Sequence, residues 1–241
     1  AGEWAREAAN KIDEIEGRGR VPMLVGGTGF YLRALRQPFF PSPATDEELR
    51  RRLNHIRDQH GHEHLYRLLE RLDPTTARRL NPRDWPRVQR GIEVSLQTGK
   101  PLSEQKDLRP EPHESARRLR IVALNPPRAK LYKRINERTE AHFAAGLVDE
   151  VRKLLDEGVP SDSSALGAHG YRRVVEYLQG KRDLAGAIEQ TKLDVRHYAK
   201  RQLTWFRREP GVEWFEGFGD QEDLRTSVFA MLTDPLFTKT E

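Results

Sequence analysis

The sequence predicts an α/β fold with a parallel sheet and flanking helices, interrupted by an all-helical insertion. Three observations carry this. Short apolar runs, each closed by turn residues, lie far apart in the chain. Long stretches of helical periodicity fill the gaps between them, as in a sheet whose parallel strands are joined by helical crossovers. One stretch, from Pro41 to about Ala116, is bordered by prolines and shows only helical periodicity and turns, the mark of a helical insertion between two strands.

Taken in order, residues 4–17 form an amphipathic helix with Trp4, Ala8, Ile12 and Ile15 on one side. Gly-Arg-Gly-Arg then breaks the pattern. Pro22–Val25 is an apolar run ending in Gly26-Gly27-Thr28-Gly29, followed by the helical spacing of Phe30, Leu32 and Leu35, which predicts a strand–turn–helix unit. The insertion opens on Pro-Ser-Pro and closes on Arg-Pro-Glu-Pro. Arg120–Leu124 is a second strand, ended by Asn125-Pro126-Pro127, and Val212–Phe215 a third. Helices are expected over 128–156, 171–178 and 184–207. The domains expected are therefore 1–40 with 117–241 as the α/β core, and 41–116 as the insertion. Three strands are few for a sheet carrying this much helix, and the first residues already lie in a helical pattern. Further strands are expected upstream of Ala1.

The chain has 241 residues, of which 33% are charged, and a mean hydropathy of −0.80. No apolar run approaches the roughly 18 residues of a membrane span, and no apolar segment follows a basic start as in a secretory signal. Without cysteine there is no disulfide framework and no thiolate zinc site. A cytoplasmic location with no membrane partner is expected. The net charge is only +5, but the cations are clustered. Arg78, Arg79, Arg83, Arg87 and Arg90 face one acid, Asp84, and Lys192, Arg196, Lys200, Arg201, Arg207 and Arg208 face one acid, Asp194. Such clusters bind phosphates by releasing counterions; solvated helix faces are the other reading, and charge alone leaves both open. His60, His62 and His64, with His55 nearby, have no cysteine to join them, and no metal site is expected there. Asp149 and Glu150 are adjacent on a helix and point about 100° apart, so they read as solvated.

The glycines of Val25-Gly26-Gly27-Thr28-Gly29 would let a ligand approach the backbone, and the helix that follows offers free N–H groups, with Thr28 adding a hydroxyl. A tight turn capped by Thr28 is the competing reading. The motif is not a Walker A loop: no G-x-x-x-x-G-K-[ST] occurs, since Gly99-Lys100 is followed by Pro101.

The stretch Pro22-Met23-Leu24-Val25-Gly26-Gly27-Thr28-Gly29-Phe30-Tyr31 resembles the P-x-L-V-G-G-T-G-x-Y segment of the tRNA dimethylallyltransferases. Further segments match in the same order: Asp73-Pro74, Asn81-Pro82-Arg83-Asp84 with Arg87 and Arg90, Glu93-Val94, and Thr98-Gly99-Lys100-Pro101. Then come Leu131–Ile135 with Arg138, Gly146–Val151, Gly170-Tyr171-Arg172, and Tyr198–Arg207 with its Lys200-Arg201-Gln202. Together they cover nearly the whole chain.

The resemblance implies a P-loop NTPase-like nucleotide-binding fold with a helical insertion. It also implies transfer of a dimethylallyl group from dimethylallyl diphosphate to N6 of the adenosine next to the tRNA anticodon, with magnesium as cofactor and the tRNA anticodon stem-loop and dimethylallyl diphosphate as partners. A monomer is expected. Residue by residue, it sets Thr28 at the substrate adenosine and Arg138 at the donor diphosphate, where a planar guanidinium suits paired oxygens. It sets Arg50, Arg87, Arg90, Gly170, Tyr171, Arg172, Lys200, Arg201 and Gln202 at the tRNA. The family's phosphate loop and catalytic aspartate lie upstream of Ala1 by this alignment, with most of the magnesium ligands. The 241 residues alone are therefore expected to transfer no prenyl group. Gly167 stands where many relatives carry Arg or Gln, His142 stands for a usual methionine, and Gly91 for a usual alanine, a helix cost of up to about 1 kcal/mol. Two rival readings are a non-catalytic RNA-binding remnant and a P-loop small-molecule kinase relative. The second leaves Arg87–Arg90 and Lys200–Arg207 without a purpose.

Overall fold

The computed structural model describes residues 1–40, 42–105 and 110–233. Pro41 and Arg109, two of the prolines and flanking residues that border the expected insertion, lie outside the described residues. The chain divides into two compact units: residues 1–26 with 30–117, and 27–29 with 118–241. This grouping departs from the one expected from sequence, because residues 1–26 and 30–40 go with the helical stretch.

The first unit is helical. It holds α1 (Gly2–Gly17), most of α2 (Gly29–Arg36), α3 (Glu47–His60), α4 (His62–Leu72), the short α5 (Pro74–Ala77), α6 (Trp85–Thr98) and the short α7 (Glu114–Arg117). Asp46 caps α3 by accepting the Leu49 N–H at 2.9 Å, a stabilising use of a short acid at that position. A single residue, Gly61 at φ 81°, separates α3 from α4. His60 therefore ends α3 while His62 and His64 stand in the first turn of α4, and the rings of His60 and His64 lie 5.1 Å apart. Leu53, Leu65, Leu69, Ala77, Val88 and Ile92 form the core. Gly91 belongs to that core: a Cβ there would stand 2.8 Å from the buried Leu69, so the glycine trades helix propensity for close approach of α4 and α6. Asp73, fully buried, accepts from the Thr76 N–H at 2.9 Å, and from the Ser103 N–H at 2.8 Å and hydroxyl at 2.7 Å.

The second unit carries the sheet. β1 (Ile121–Leu124) and β2 (Val212–Phe215) pair in parallel, Ile121 opposite Val212 and Leu124 opposite Phe215. Between them run α8 (Arg128–Ala144), α9 (Leu147–Asp156), α10 (Tyr171–Leu178) and α11 (Leu184–Phe206), with α12 (Glu222–Thr233) after β2. The single helical stretch expected over 128–156 is broken at Gly146, φ 100°, a left-handed turn that favours glycine. Val151, Leu166, Val174 and Val175 form this unit's core, with Phe143, Leu147 and Tyr171 against it.

One expected strand is not formed. Residues 22–25 are neither helix nor strand, and Met23 and Val25 are largely exposed. A strand exists only when its N–H and C=O groups pair with a neighbour, and among the described residues none lies alongside. The apolar run was legible; its partner was not.

Candidate active site

The loop 27–29 is seated on one face of α11. Tyr198, Gln202 and Trp205 follow one another at helical i, i+4, i+7 spacing, which stacks them on one side. The Gln202 amide donates to the Gly27 carbonyl at 2.9 Å. A Cβ on Gly27 would fall 2.0 Å from the Gln202 amide nitrogen, and one on Gly29 would fall 2.1 Å from the Trp205 ring. Gly29 is thus required by packing against the Trp205 ring, whereas a side chain at Gly27 would displace the Gln202 amide and its hydrogen bond. Between them Thr28 is exposed, with its hydroxyl 3.3 Å from that of Tyr198.

Arg201 is one turn from Tyr198 on this side of α11, while Lys200, two residues from both Tyr198 and Gln202, lies on the opposite side of the helix. Lys200 and Arg201 are exposed, and the Arg201 guanidinium lies 5.7 Å from the Tyr198 ring centre. His169 lies against the same ring, 5.1 Å centre to centre. A cleft of about 170 Å³ opens here, lined by His169, Gly170, Arg172, Arg173, His197 and Arg201 among others. Gly170 holds φ 91° where α10 begins, and a Cβ on it would meet Leu147 at 3.2 Å.

Beneath the cleft a paired network fixes α10 to α11. Arg173 donates to Asp194 at 2.7 Å and to Glu176 at 2.7 Å, Arg182 donates to Glu176 at 2.7 Å, and Gln190 donates to Asp194 at 3.0 Å. Burial would raise the Asp194 carboxyl, but bonds from Arg173 and Gln190 outweigh it and hold the pKa below its ordinary value. Arg173 was not singled out from sequence; nothing in its local spacing marks a partner 21 residues away.

The residues picked from sequence fall into three groups. In the second unit Thr28 lies with Gln202 on α11 and Gly170, Arg172 and Arg201 line the cleft, while Lys200 is on the far side of α11; Gln202 spends its amide on Gly27 and Arg172 reaches Glu176 at 3.4 Å. Tyr171 packs on the core and donates its hydroxyl to Glu150, a bond that, with some burial, raises the phenol's pKa. Glu150 therefore has a partner, and Asp149 pairs with Arg152. Arg138 stands exposed on α8, its Nε 3.5 Å from His142 and with no carboxylate partner among the described residues.

In the first unit, Arg87 is exposed and paired with Asp84. Arg50 and Arg90 are engaged otherwise. Both donate to the fully buried Glu93, Arg50 at 3.2 and 3.3 Å and Arg90 at 2.7 Å, and the Asp46 N–H adds a bond at 3.1 Å. Arg90 also reaches the Ser42 hydroxyl at 2.8 Å and the Pro43 carbonyl at 2.9 Å.

A parallel strand pair joined through helices, with a glycine loop docked on a helix, defines an α/β protein. The family model of the IPP transferases matches residues 1–209. The tRNA dimethylallyltransferase of Solibacter usitatus is 42% identical over 230 residues, covering 95% of this chain and 74% of that protein. That of Geobacter sulfurreducens is 43% identical over 219 residues, covering 90% and 69%. Among solved structures, the full-length tRNA isopentenylpyrophosphate transferase of Bacillus halodurans superimposes with a TM-score of 0.63 at 33% identity, covering 98% of this chain and 73% of that one. A eukaryotic dimethylallyltransferase acting on tRNA, at 24% identity and a TM-score of 0.71, shares the fold.

The chain belongs to the IPP transferase family, a family of prenyl-transferring enzymes. Among the described residues no helix is long and apolar enough to cross a membrane.

Proposed function

We propose that this protein transfers a dimethylallyl group from dimethylallyl diphosphate to N6 of the adenosine beside a tRNA anticodon. The observation that carries the reading is the exposed Thr28, held on α11 by the Gln202 bond to Gly27 and by the packing of Gly29 on Trp205, with exposed cations on the same helix. The names of the relatives agree with it.

In this reading the N6 amine attacks C1 of the donor. The C1–O bond breaks, its electron pair leaves on the diphosphate, and the amine proton passes to a base. Thr28 meets the flipped adenine; extruding the base from its stack costs a few kcal/mol, recovered from phosphate contacts along the stem-loop. Lys200 and Arg201, with Arg172 at the cleft, supply those contacts in the second unit, and Arg87 supplies one in the first. Arg138 holds the diphosphate, because its guanidinium has no competing carboxylate among the described residues and suits paired oxygens. Among the described residues there is no group of three or more His, Asp or Glu that could hold a metal; magnesium, which the resemblance implies, would be held largely by the donor's phosphates with one or two carboxylates.

The test is transfer of label from radioactive dimethylallyl diphosphate to an anticodon stem-loop by the protein in its natural length. Labelling of an RNA with adenosine at the target position, and none when guanosine or inosine replaces it, is expected. Arg138→Ala should slow labelling and weaken donor dependence, a charge-assisted contact being worth about 1.5–3 kcal/mol. RNA binding without any transfer would replace this reading with a non-catalytic RNA-binding one.

A further inference from the structure

Two of the three side chains on the α11 face have an evident task. Gln202 holds the Gly27 carbonyl and Trp205 fills the space beside Gly29. Tyr198 does neither. It brings its hydroxyl to 3.3 Å from Thr28 Oγ1, and His169 and Arg201 lie against its ring, 5.1 and 5.7 Å from its centre.

A threonine hydroxyl rotates about its Cβ–Oγ bond and is both donor and acceptor. Left alone on an exposed loop, it would bond to either kind of group on a base edge and would not discriminate between them. A neighbouring hydroxyl removes that freedom, because one of the two must donate and the other accept. Phenols are much more acidic than aliphatic alcohols, so the tyrosine hydroxyl is the better donor of the two. With the tyrosine proton on Thr28 Oγ1, the threonine proton is directed away from Tyr198 and toward an acceptor on the incoming base. Adenine carries an acceptor at N1 of its pairing edge, where guanine carries an N–H.

We propose that Tyr198 is a positioning residue that sets the direction of the Thr28 hydroxyl and thereby favours adenine over guanine at the target position. The ring contacts of His169 and Arg201 keep the phenol at that angle, which ties the start of α10 and the cations of α11 to the base-contacting loop. The inference rests on the reading of Thr28 as the residue that meets the adenosine.

The experiment measures binding of two anticodon stem-loops, alike except for adenosine or guanosine at the target position. Each carries 2-aminopurine as the base 3′ of the target, to report unstacking. The natural-length protein is compared with Tyr198→Phe, Thr28→Val and the double variant. Tyr198→Phe keeps the ring and its contacts, so melting should hold. The adenosine-over-guanosine preference, in affinity and in fluorescence response, should fall by about threefold to tenfold, the scale of one net hydrogen bond. The double variant should lose no more than Thr28→Val alone, since the two hydroxyls act through one contact. A merely structural tyrosine would instead lower binding of both RNAs alike and leave their ratio unchanged; that result overturns the proposal. So does a preference that falls in Thr28→Val but not in Tyr198→Phe, and in that case the reading of Thr28 stands. A preference unchanged in both single variants overturns the reading of Thr28 and the proposal with it.

Discussion

Replacing Glu93 by glutamine tests whether Arg50 and Arg90 are structural before they are anything else. The Glu93 side chain is 0% exposed and accepts from Arg50, Arg90 and the Asp46 N–H. Through Arg90 it also ties Ser42 and Pro43 to α6. Breaking a buried ion pair from one side costs about 3–5 kcal/mol. Here the two guanidiniums are 34% and 28% exposed and keep part of their hydration when orphaned, so about 2–3 kcal/mol is expected. For a chain of this size that is a fall of roughly 4–12 °C in Tm. The pH dependence has a definite sign. Burial raises the Glu93 pKa, but bonds from Arg90, Arg50 and the Asp46 N–H outweigh it, and the net value lies below the ordinary 4.5. A depressed folded pKa contributes stability that is fully present above the unfolded value and is lost as pH falls through the folded one. Wild type should therefore lose stability below about pH 4.5, and Glu93→Gln should lose less over the same interval. Asp73, Glu176 and Asp194 are depressed in the same direction, so some acid slope will remain in the variant. Thermal unfolding followed by circular dichroism, from pH 7 down to about pH 3, reads both effects. A variant that melts with wild type at neutral pH and keeps the full acid slope would refute the reasoning.

Three further outcomes are expected. Gly91→Ala should gain up to about 1 kcal/mol of helix propensity yet lose about 1–3 kcal/mol to overpacking against Leu69, a net destabilisation measurable by urea unfolding; a stabilised variant would show that Leu69 can move aside. Gly29→Ala should unseat the 27–29 loop from Trp205 and weaken stem-loop binding, with the Trp205 fluorescence changed in the free protein; unaltered emission and affinity would mean the loop is not held there. Arg87→Ala should cost only the 0–1 kcal/mol of a surface pair in stability and lower the slope of log affinity against log salt by about 0.7–0.9; parallel salt titrations with and without the substitution would show that it touches no phosphate.

What was legible in the sequence was what local period encodes. The helices 171–178 and 184–206 follow from apolar spacing, and 121–124 and 212–215 from short apolar runs closed by turn residues. Residues 22–25 have the same kind of run without the pairing, because an apolar stretch announces burial and not the identity of a neighbour. The break at Gly146 was hidden for a related reason: the apolar period continues on both sides of it, and only the positive φ shows the turn. The site was legible to the same depth. Thr28 could be picked out as a hydroxyl in a glycine loop, but Gly27 and Gly29 read as room for a ligand when their space is already taken by Gln202 and Trp205, some 175 residues on. Arg50 and Arg90 are set at the tRNA by the resemblance, Arg90 also by its basic cluster; that Glu93 is buried and engages both guanidiniums follows only from the packing of α3 against α6. A basic cluster counts charges; whether a cation can be offered to RNA depends on which carboxylate already holds it. By that measure Lys200 and Arg201 are the most available cations; Arg87, exposed but paired with Asp84, would give up a surface pair, and Arg50 and Arg90 would have to let go of the buried Glu93.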